Sequence, residues 1–177
     1  IHDKDGKKGI NNFVLRGLIK LLQPHGKIII SSERPIPKEF ENYLYKGSKS
    51  EFIHYISFSE LFIGDSCTMA VEAAIVGTPS IEVDDWWPES EQQIELIEKY
   101  GVIQGFQPKE YRKFFHAILS HFQKESPKKS QINKVDKLVN QKLDITSLNY
   151  WILSNFPKSM EIVKNRLPID KKSDFKL

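Results

Sequence analysis

The stretch 60–79, ELFIGDSCTMAVEAAIVGTP, constrains the fold more than any other part of the chain. Its short apolar run 61–64, followed by polar residues, predicts a buried strand. The run 69–76 favours a helix, which Gly77 and Pro79 end, and a second apolar run follows at 80–83. This order of strand, polar turn, helix and strand predicts a βαβ unit. Its turn lies at the carboxyl end of a strand, where open parallel sheets bind ligands.

The rest of the chain alternates short apolar runs with helical patterns, which predicts an α/β protein. We expect a helix capped by Asn11 or Asn12 that ends at 24–26, and a buried parallel strand at 27–31. The run 52–56 is too short for periodicity to distinguish strand from helix. The remaining predictions are a short helix at 39–45, helices at 91–100 and 111–122, an edge strand at 102–106, a charged linker at 124–130, and helices at 132–143 and 145–165, the last interrupted near Pro157.

Composition narrows the class of protein. The 177 residues are 40% hydrophobic and 28% charged, which is enough for a packed core. A net charge of +3 is too weak to indicate nucleic-acid binding. The single Cys67 excludes an internal disulfide and a cysteine metal cluster, and it fits a reducing compartment. Neither a signal peptide nor a membrane-length apolar run is recognisable, so we predict a cytoplasmic location.

The predicted fold is a Rossmann-like three-layer α/β/α domain with a mostly parallel sheet, over residues 1–123. Residues 124–177 are predicted to form a linker and carboxyl-terminal helices that pack on this domain. The sequence begins with IHDKDGKKG, whose polar and glycine-containing composition is typical of a loop rather than of the start of a domain. We therefore expect a fragment that lacks its first strand, and an exposed sheet position that leads either to dimerisation or to marginal stability. Residues 170–177 are charged and expected to fray.

The turn after the first strand of the βαβ unit is the main candidate site. Backbone N–H groups at the helix start, together with the helix dipole, can hold a diphosphate near Ser66, Cys67 and Thr68. The alternative is that Ser66 or Thr68 only caps the helix. Cys67 is expected to be a small packing residue rather than a nucleophile. One turn on, Glu72 interrupts a nearly apolar helix, and its carboxylate could accept from ribose hydroxyls or simply face solvent.

Three further groups of residues are weaker candidates. Gly6 and Gly9 surround Lys7 and Lys8 and could wrap a phosphate, although the spacing is not that of a known phosphate loop. His54 could line the pocket near the base, or it could be a hydrogen-bonded structural histidine. The second loop of the βαβ unit contains Trp86, Trp87 and Glu89, which could stack on and bind a sugar or acceptor, although one Trp could instead pack as core.

The segment DSCTMAVEAAIVGTP resembles the DSGG-x-x-x-E-A…G-x-P stretch of UDP-N-acetylglucosamine 2-epimerases, with equal spacing from Asp65 to Pro79. The chain as a whole is more similar to the carboxyl half of a bacterial and archaeal family of predicted glycosyltransferases. That family shares an H-D…G-x-x-G-I loop at His2–Ile10, a histidine at His54, and an I-G-D-S-x-T-M-x-x-E-A-A-x-x-G-T-P core at 63–79. The resemblance covers residues 1–106.

This resemblance implies the second domain of a GT-B enzyme, in which a nucleotide sugar, expected to be UDP-linked, binds between two Rossmann-like domains. It implies diphosphate contacts at Ser66, ribose contacts at Glu72, and a position for His2 near the reacting sugar. A histidine there could act as acid or base, or donate to phosphate. Cys67 and Thr68 stand where the epimerases have two glycines, so their side chains would crowd a phosphate. The Thr68 hydroxyl could replace a lost amide contact.

We therefore expect the nucleotide-sugar-binding half of a glycosyltransferase-like enzyme, which is inactive alone because a missing amino-terminal domain would complete the site. No cofactor, metal, nucleic acid or membrane span is expected. The alternatives are a hydrolysing nucleotide-sugar epimerase-like domain and a non-catalytic Rossmann-like interaction module. The epimerase alternative is disfavoured by Cys67 and Thr68.

Overall fold

The computed structural model describes residues 9–164, and the chain divides into two compact units, 1–135 and 136–177. The strands are β1 (Phe62–Gly64), β2 (Ser80–Val83) and β3 (Ile103–Phe106). The α-helices are α1 (Asn12–Leu22), α2 (Phe52–Phe58), α3 (Cys67–Ile75), α4 (Glu91–Ile94), α5 (Tyr111–His121), α6 (Pro127–Gln141), α7 (Ile145–Ser154) and α8 (Lys158–Lys164). A π-helical stretch, Glu95–Lys99, continues α4, and short 3-10 turns occupy Gln23–His25, Lys38–Tyr43, Lys49–Glu51, Trp87–Glu89 and Pro108–Glu110.

The three strands form one parallel sheet in the order β1-β2-β3. Ile63 stands opposite Ile81, and Ile81 stands opposite Gln104. The βαβ prediction for 60–83 is therefore confirmed, with α3 as its helix. The α/β class and the edge position of the 102–106 strand are confirmed as well.

Local capping explains where the helices begin and end. Asn11 accepts hydrogen bonds from the first turn of α1, as the sequence predicts, and Ser90 accepts one from the first turn of α4. Gly77 and Gly101 adopt positive φ values of 87° and 60° after α3 and after the π-helical stretch, a conformation that favours glycine.

The core of the first unit lies on one face of β2. Ile81 and Val83 pack in one buried cluster with Val14 and Leu18 of α1 and with Phe114 and Ile118 of α5. Ser80 points to the opposite face, where its hydroxyl donates to the Ala70 carbonyl of α3 at 2.9 Å. Because side chains alternate along a strand, β2 has an apolar face toward α1 and α5 and a polar face toward α3.

Two sequence predictions are corrected. Residues 27–31 do not form a strand of the sheet: Ile30 makes one parallel bridge to Leu44, and Ile29 is 38% exposed. Only Ile30 of this run pairs with another backbone segment, so among the described residues the run forms an isolated bridge rather than a strand. The predicted linker 124–130 is also wrong in part, because α6 already begins at Pro127, a residue type suited to the first position of a helix.

Other predictions are refined. The ambiguous run 52–56 is helical, in α2, and the short helix expected at 39–45 is a 3-10 turn, Lys38–Tyr43. In the second unit, Asp144 caps α7. The helical segment is interrupted between α7 and α8, near Pro157, as expected. The side chains of Leu153 and Phe156 are exposed. The fraying expected at 170–177 lies outside the described residues. Among residues 9–164, no helix is both long and apolar enough to cross a membrane.

Candidate functional site

The turn between β1 and α3 lies at the carboxyl edge of the sheet. Ser66 is the N-cap of α3, and its hydroxyl accepts from the Met69 amide at 3.5 Å. The structure therefore shows the helix cap that the sequence allows at Ser66. Cys67 and Thr68 are the first two residues of the helix. Within residues 9–164 the Thr68 amide donates no hydrogen bond, and its side chain is exposed. The helix start therefore offers one amide, one hydroxyl and the positive end of a dipole.

The negative charge of Asp65 beside this turn is compensated. Its Oδ2 accepts from the Ile10 amide at 3.0 Å and pairs with Arg34 Nη2 at 2.7 Å. The Arg34 side chain is 66% exposed, so the guanidinium borders the helix start and solvent. Sequence reasoning missed Arg34. The available signal was a basic residue shortly after the β-branched run 27–31, which the topology brings to the same edge as Asp65.

Gly9 is fixed against this carboxylate. A Cβ at Gly9 would lie 2.5 Å from Asp65 Oδ2, and the Gly9 carbonyl accepts from Tyr111 Oη at 2.8 Å. Burial raises the pKa of Tyr111, and the charge of Asp65 adds to that effect, so the phenol remains a donor. The loop at Gly9 thus contacts the turn at Asp65. This turn precedes α3, at whose start the predicted phosphate site lies.

A polar face of β2 runs beneath this edge. Ser80, Glu82 and Asp84 alternate with the core residues and are fully or almost fully buried. Asp84 Oδ1 accepts from the Trp86 amide at 2.6 Å, which shapes the loop after β2. Sequence reasoning missed Glu82 and Asp84. The signal was present, because an acid within an apolar strand needs a polar environment.

Gln93 connects α4 to the start of α3. Its Nε2 donates to the Cys67 carbonyl at 3.3 Å, and the side chain is almost fully buried. The Gln93 Oε1 atom has no hydrogen-bond partner among the described residues. Cys67 is partly buried at this junction, which agrees with its expected packing role.

The two tryptophans after β2 differ in their surroundings. A Cβ at Gly105 would lie 3.2 Å from Trp87 Cε2, so the Trp87 ring packs over β3. Its Nε1 is buried and lacks a hydrogen-bond partner in the described part of the chain. Trp86 and Trp87 are both half-buried, and Glu89 is exposed. This loop therefore supplies one packed ring and, at its surface, one indole and one carboxylate.

The other candidates are dispersed. Glu72 is exposed on α3, away from the buried Ala70, Ala73 and Ala74, and it shares an outer stripe with Thr68 four residues earlier. His54 is exposed on α2, and its backbone carbonyl accepts from the Ser57 hydroxyl. His2 and Gly6 lie outside the described residues. The structure thus brings Thr68 and Glu72 onto one face, whereas His54 belongs to a different helix.

Residues 9–164 contain no cluster of three or more His, Cys, Asp or Glu side chains that could hold a metal ion. Comparison with protein-family models, with curated proteins and with solved structures found no match.

Proposed function

We propose that this chain is the nucleotide-sugar-binding half of a GT-B-type, glycosyltransferase-like enzyme, built as a Rossmann-like three-layer domain. The observation that carries the proposal is the position of α3. The helix begins at the carboxyl edge of a parallel sheet, and Thr68, in its first turn, is an exposed residue. Open α/β sheets bind ligands outside this edge, and helix starts there hold phosphate groups.

The charges near the turn support an anionic ligand. Asp65 would repel a diphosphate, but its carboxylate is already engaged by Arg34 and the Ile10 amide. Arg34 also projects into solvent beside the helix start and can pair with a phosphate oxygen. The diphosphate is proposed to contact Ser66, Cys67 and Thr68, where the hydroxyl groups replace the amide contacts that paired glycines would permit.

Glu72 is proposed to bind the ribose. Four residues along a helix correspond to a rise of about 6 Å, so Glu72 stands one turn beyond Thr68 on the same exposed face. A nucleotide whose diphosphate lies at Thr68 can therefore extend along α3 and present its ribose hydroxyls to the carboxylate. The exposure of Glu72 suits a site that a second domain covers.

Trp86 and Glu89 are proposed to contact the sugar or the acceptor, since the half-buried Trp86 and the exposed Glu89 both belong to the loop that follows the neighbouring strand. An aromatic face stacks on a sugar ring, and a carboxylate accepts from its hydroxyls. Trp87 is excluded from this role because its ring packs over Gly105.

Amide hydrogen exchange with UDP and UDP-sugars at millimolar concentration tests the proposal. We expect protection of residues 66–69, and Thr68→Val and Glu72→Gln should each weaken binding by about tenfold, the effect of one lost hydrogen bond. Glu98→Gln, an exposed acid of the π-helical stretch, is the matched control and should bind normally. Unchanged exchange at 66–69 with every nucleotide tried would overturn the proposal.

A further inference from the structure

The helices on the two faces of the sheet differ in charge. Helices α1 and α5, on the apolar face of β2, contain four lysine and arginine residues and no aspartate or glutamate. On the opposite face, α3 contacts β2 through Ser80, and α4 contacts the start of α3 through Gln93. These two helices and the π-helical stretch contain one basic residue, Lys99, and four acidic residues, Glu72, Glu91, Glu95 and Glu98. The first unit therefore has one basic and one acidic helical layer.

Helices α1 and α5 lie side by side and run in the same direction. Near their starts, the Tyr111 hydroxyl donates to the Gly9 carbonyl at 2.8 Å. Near their ends, the His25 ring stacks on the Phe122 ring with 4.0 Å between the centroids. Both helices contribute side chains to the same core cluster. Each has 11 residues, which corresponds to a length of about 16 Å, so their outer sides form one continuous surface.

This α1–α5 surface combines basic side chains with an exposed aromatic ring. On α1, Phe13, Arg16 and Lys20 are exposed and follow one another at spacings of three and four residues, so they share one outer stripe. The exposed residues in the first three turns of α5 are Arg112, Lys113, His116 and Leu119. Phe13 is 82% exposed, so a large apolar side chain projects from the basic layer.

Most of the positive charge on this surface is available to a partner. Two of the four cations pair with acids at the rim of the surface, Arg16 with Glu39 at 2.6 Å and Lys113 with Glu110 at 2.8 Å. Both basic side chains are more than half exposed, and exposed pairs of this kind are weak. Lys20 and Arg112 form no ion pair within residues 9–164.

We propose that the α1–α5 surface docks on an anionic membrane surface, with its lysines and arginines against lipid headgroups and Phe13 inserted between them. The opposite charges of the two layers orient the first unit, because an anionic surface attracts α1 and α5 and repels the acidic layer that contains α3 and α4. Docking of this kind requires no membrane-spanning helix. The inference is independent of the nucleotide site.

The apolar residues of the surface favour a membrane over a nucleic acid. A phenylalanine and a leucine among lysines and arginines suit the boundary between headgroups and acyl chains, where surface-bound helices place such side chains. Leu119 is 43% exposed and Phe13 is 82% exposed. Proteins that bind single-stranded nucleic acids instead stack successive bases on several aromatic rings, and Phe13 is the only Phe, Tyr or Trp that α1 and α5 expose.

Co-flotation of the 177-residue chain with lipid vesicles tests the proposal. The probes are vesicles of phosphatidylcholine alone and of phosphatidylcholine with about one third phosphatidylserine. We expect binding to the anionic vesicles only, and release at high salt. One cation near such a surface changes the affinity about fivefold, so Lys20→Gln combined with Arg112→Gln should weaken binding about 25-fold. The matched control removes two exposed lysines outside this surface, Lys46→Gln with Lys49→Gln, and should bind within about twofold of the native chain.

The variant Phe13→Ala separates membrane insertion from attraction of charge alone. It should weaken binding to the anionic vesicles about tenfold, because the ring no longer leaves water on docking. Unchanged binding of this variant would overturn the proposal, as would equal losses in the two double variants or an absence of binding to anionic vesicles. Retention of a short RNA or DNA without retention of the vesicles would assign the surface to a nucleic acid and would also overturn it.

Discussion

Gly9 approaches Asp65 so closely that a Cβ on Gly9 would lie 2.5 Å from the Cβ of Asp65. The same aspartate accepts from the Ile10 amide and pairs with Arg34. One side chain thus holds the entry to α1, the segment after residues 27–31 and the turn before α3. The carboxyl edge that the proposed nucleotide site requires is organised by this carboxylate.

The substitution Gly9→Ala should lower the free energy of unfolding by about 1–3 kcal/mol, the usual cost of forcing a methyl group into a filled space. Urea denaturation measures the change. The matched background is Asp65→Gly, which removes the atoms that the methyl group would meet. In that background Gly9→Ala should cost clearly less, and an equal cost in both backgrounds would locate the strain elsewhere.

The central βαβ unit is predictable from sequence because its signals are local. The cap at Ser66, the stop at Gly77 and the two apolar runs lie within a short stretch, and each acts on its own neighbours. The predicted strand at 27–31 fails for the opposite reason, since a strand depends on partners that are distant in sequence. Its residues have the right composition, but only one of them, Ile30, finds a pairing partner.

In the candidate site, too, local features can be predicted from the sequence, whereas contacts between distant residues cannot. Ser66 and Thr68 are found from the helix start, which is a local pattern. The pairing of Arg34 with Asp65 spans 31 residues and follows from topology, so no spacing rule could reveal it. The buried Glu82 could have been noticed, because an acid inside an apolar strand is costly without polar surroundings.

The substitution Thr78→Val should cost about 1 kcal/mol of unfolding free energy. Thr78 is fully buried, and its Oγ1 donates to the Ile56 carbonyl at 2.6 Å, which ties α2 to the segment before β2. The Ile56 carbonyl keeps a second bond from the Ser59 amide, so the loss is that of one net hydrogen bond rather than of an orphaned acceptor. Thermal and urea denaturation measure it. The control is Thr68→Val, at an exposed position, and a loss as large there would contradict this account.

The substitution Gln131→Leu should cost more, about 1–3 kcal/mol. Gln131 is almost fully buried on α6, and its Nε2 donates to the Val102 carbonyl at 2.8 Å and to the Ala74 carbonyl at 3.3 Å. Leucine fills a similar volume but deprives both buried acceptors of this donor. Asn133→Leu, at an exposed position of the same helix, should leave stability unchanged within about 0.5 kcal/mol. Equal stabilities of the two variants would show that the amide contributes nothing.

Acidification should destabilise the protein through His121. This side chain is buried, and burial lowers its pKa, an effect that Glu60 partly opposes and Lys124 reinforces. The unfolded chain takes up a proton near pH 6.5, whereas the folded chain takes it up only at lower pH, so the unfolding free energy falls as the pH drops below about 6.5. The slope from one such group is at most about 1.4 kcal/mol per pH unit.

Urea denaturation from pH 7.5 to 5.5 should show this slope in the native protein and a shallower one in His121→Leu. Parallel curves for the native protein and His121→Leu would assign the acid sensitivity to other groups.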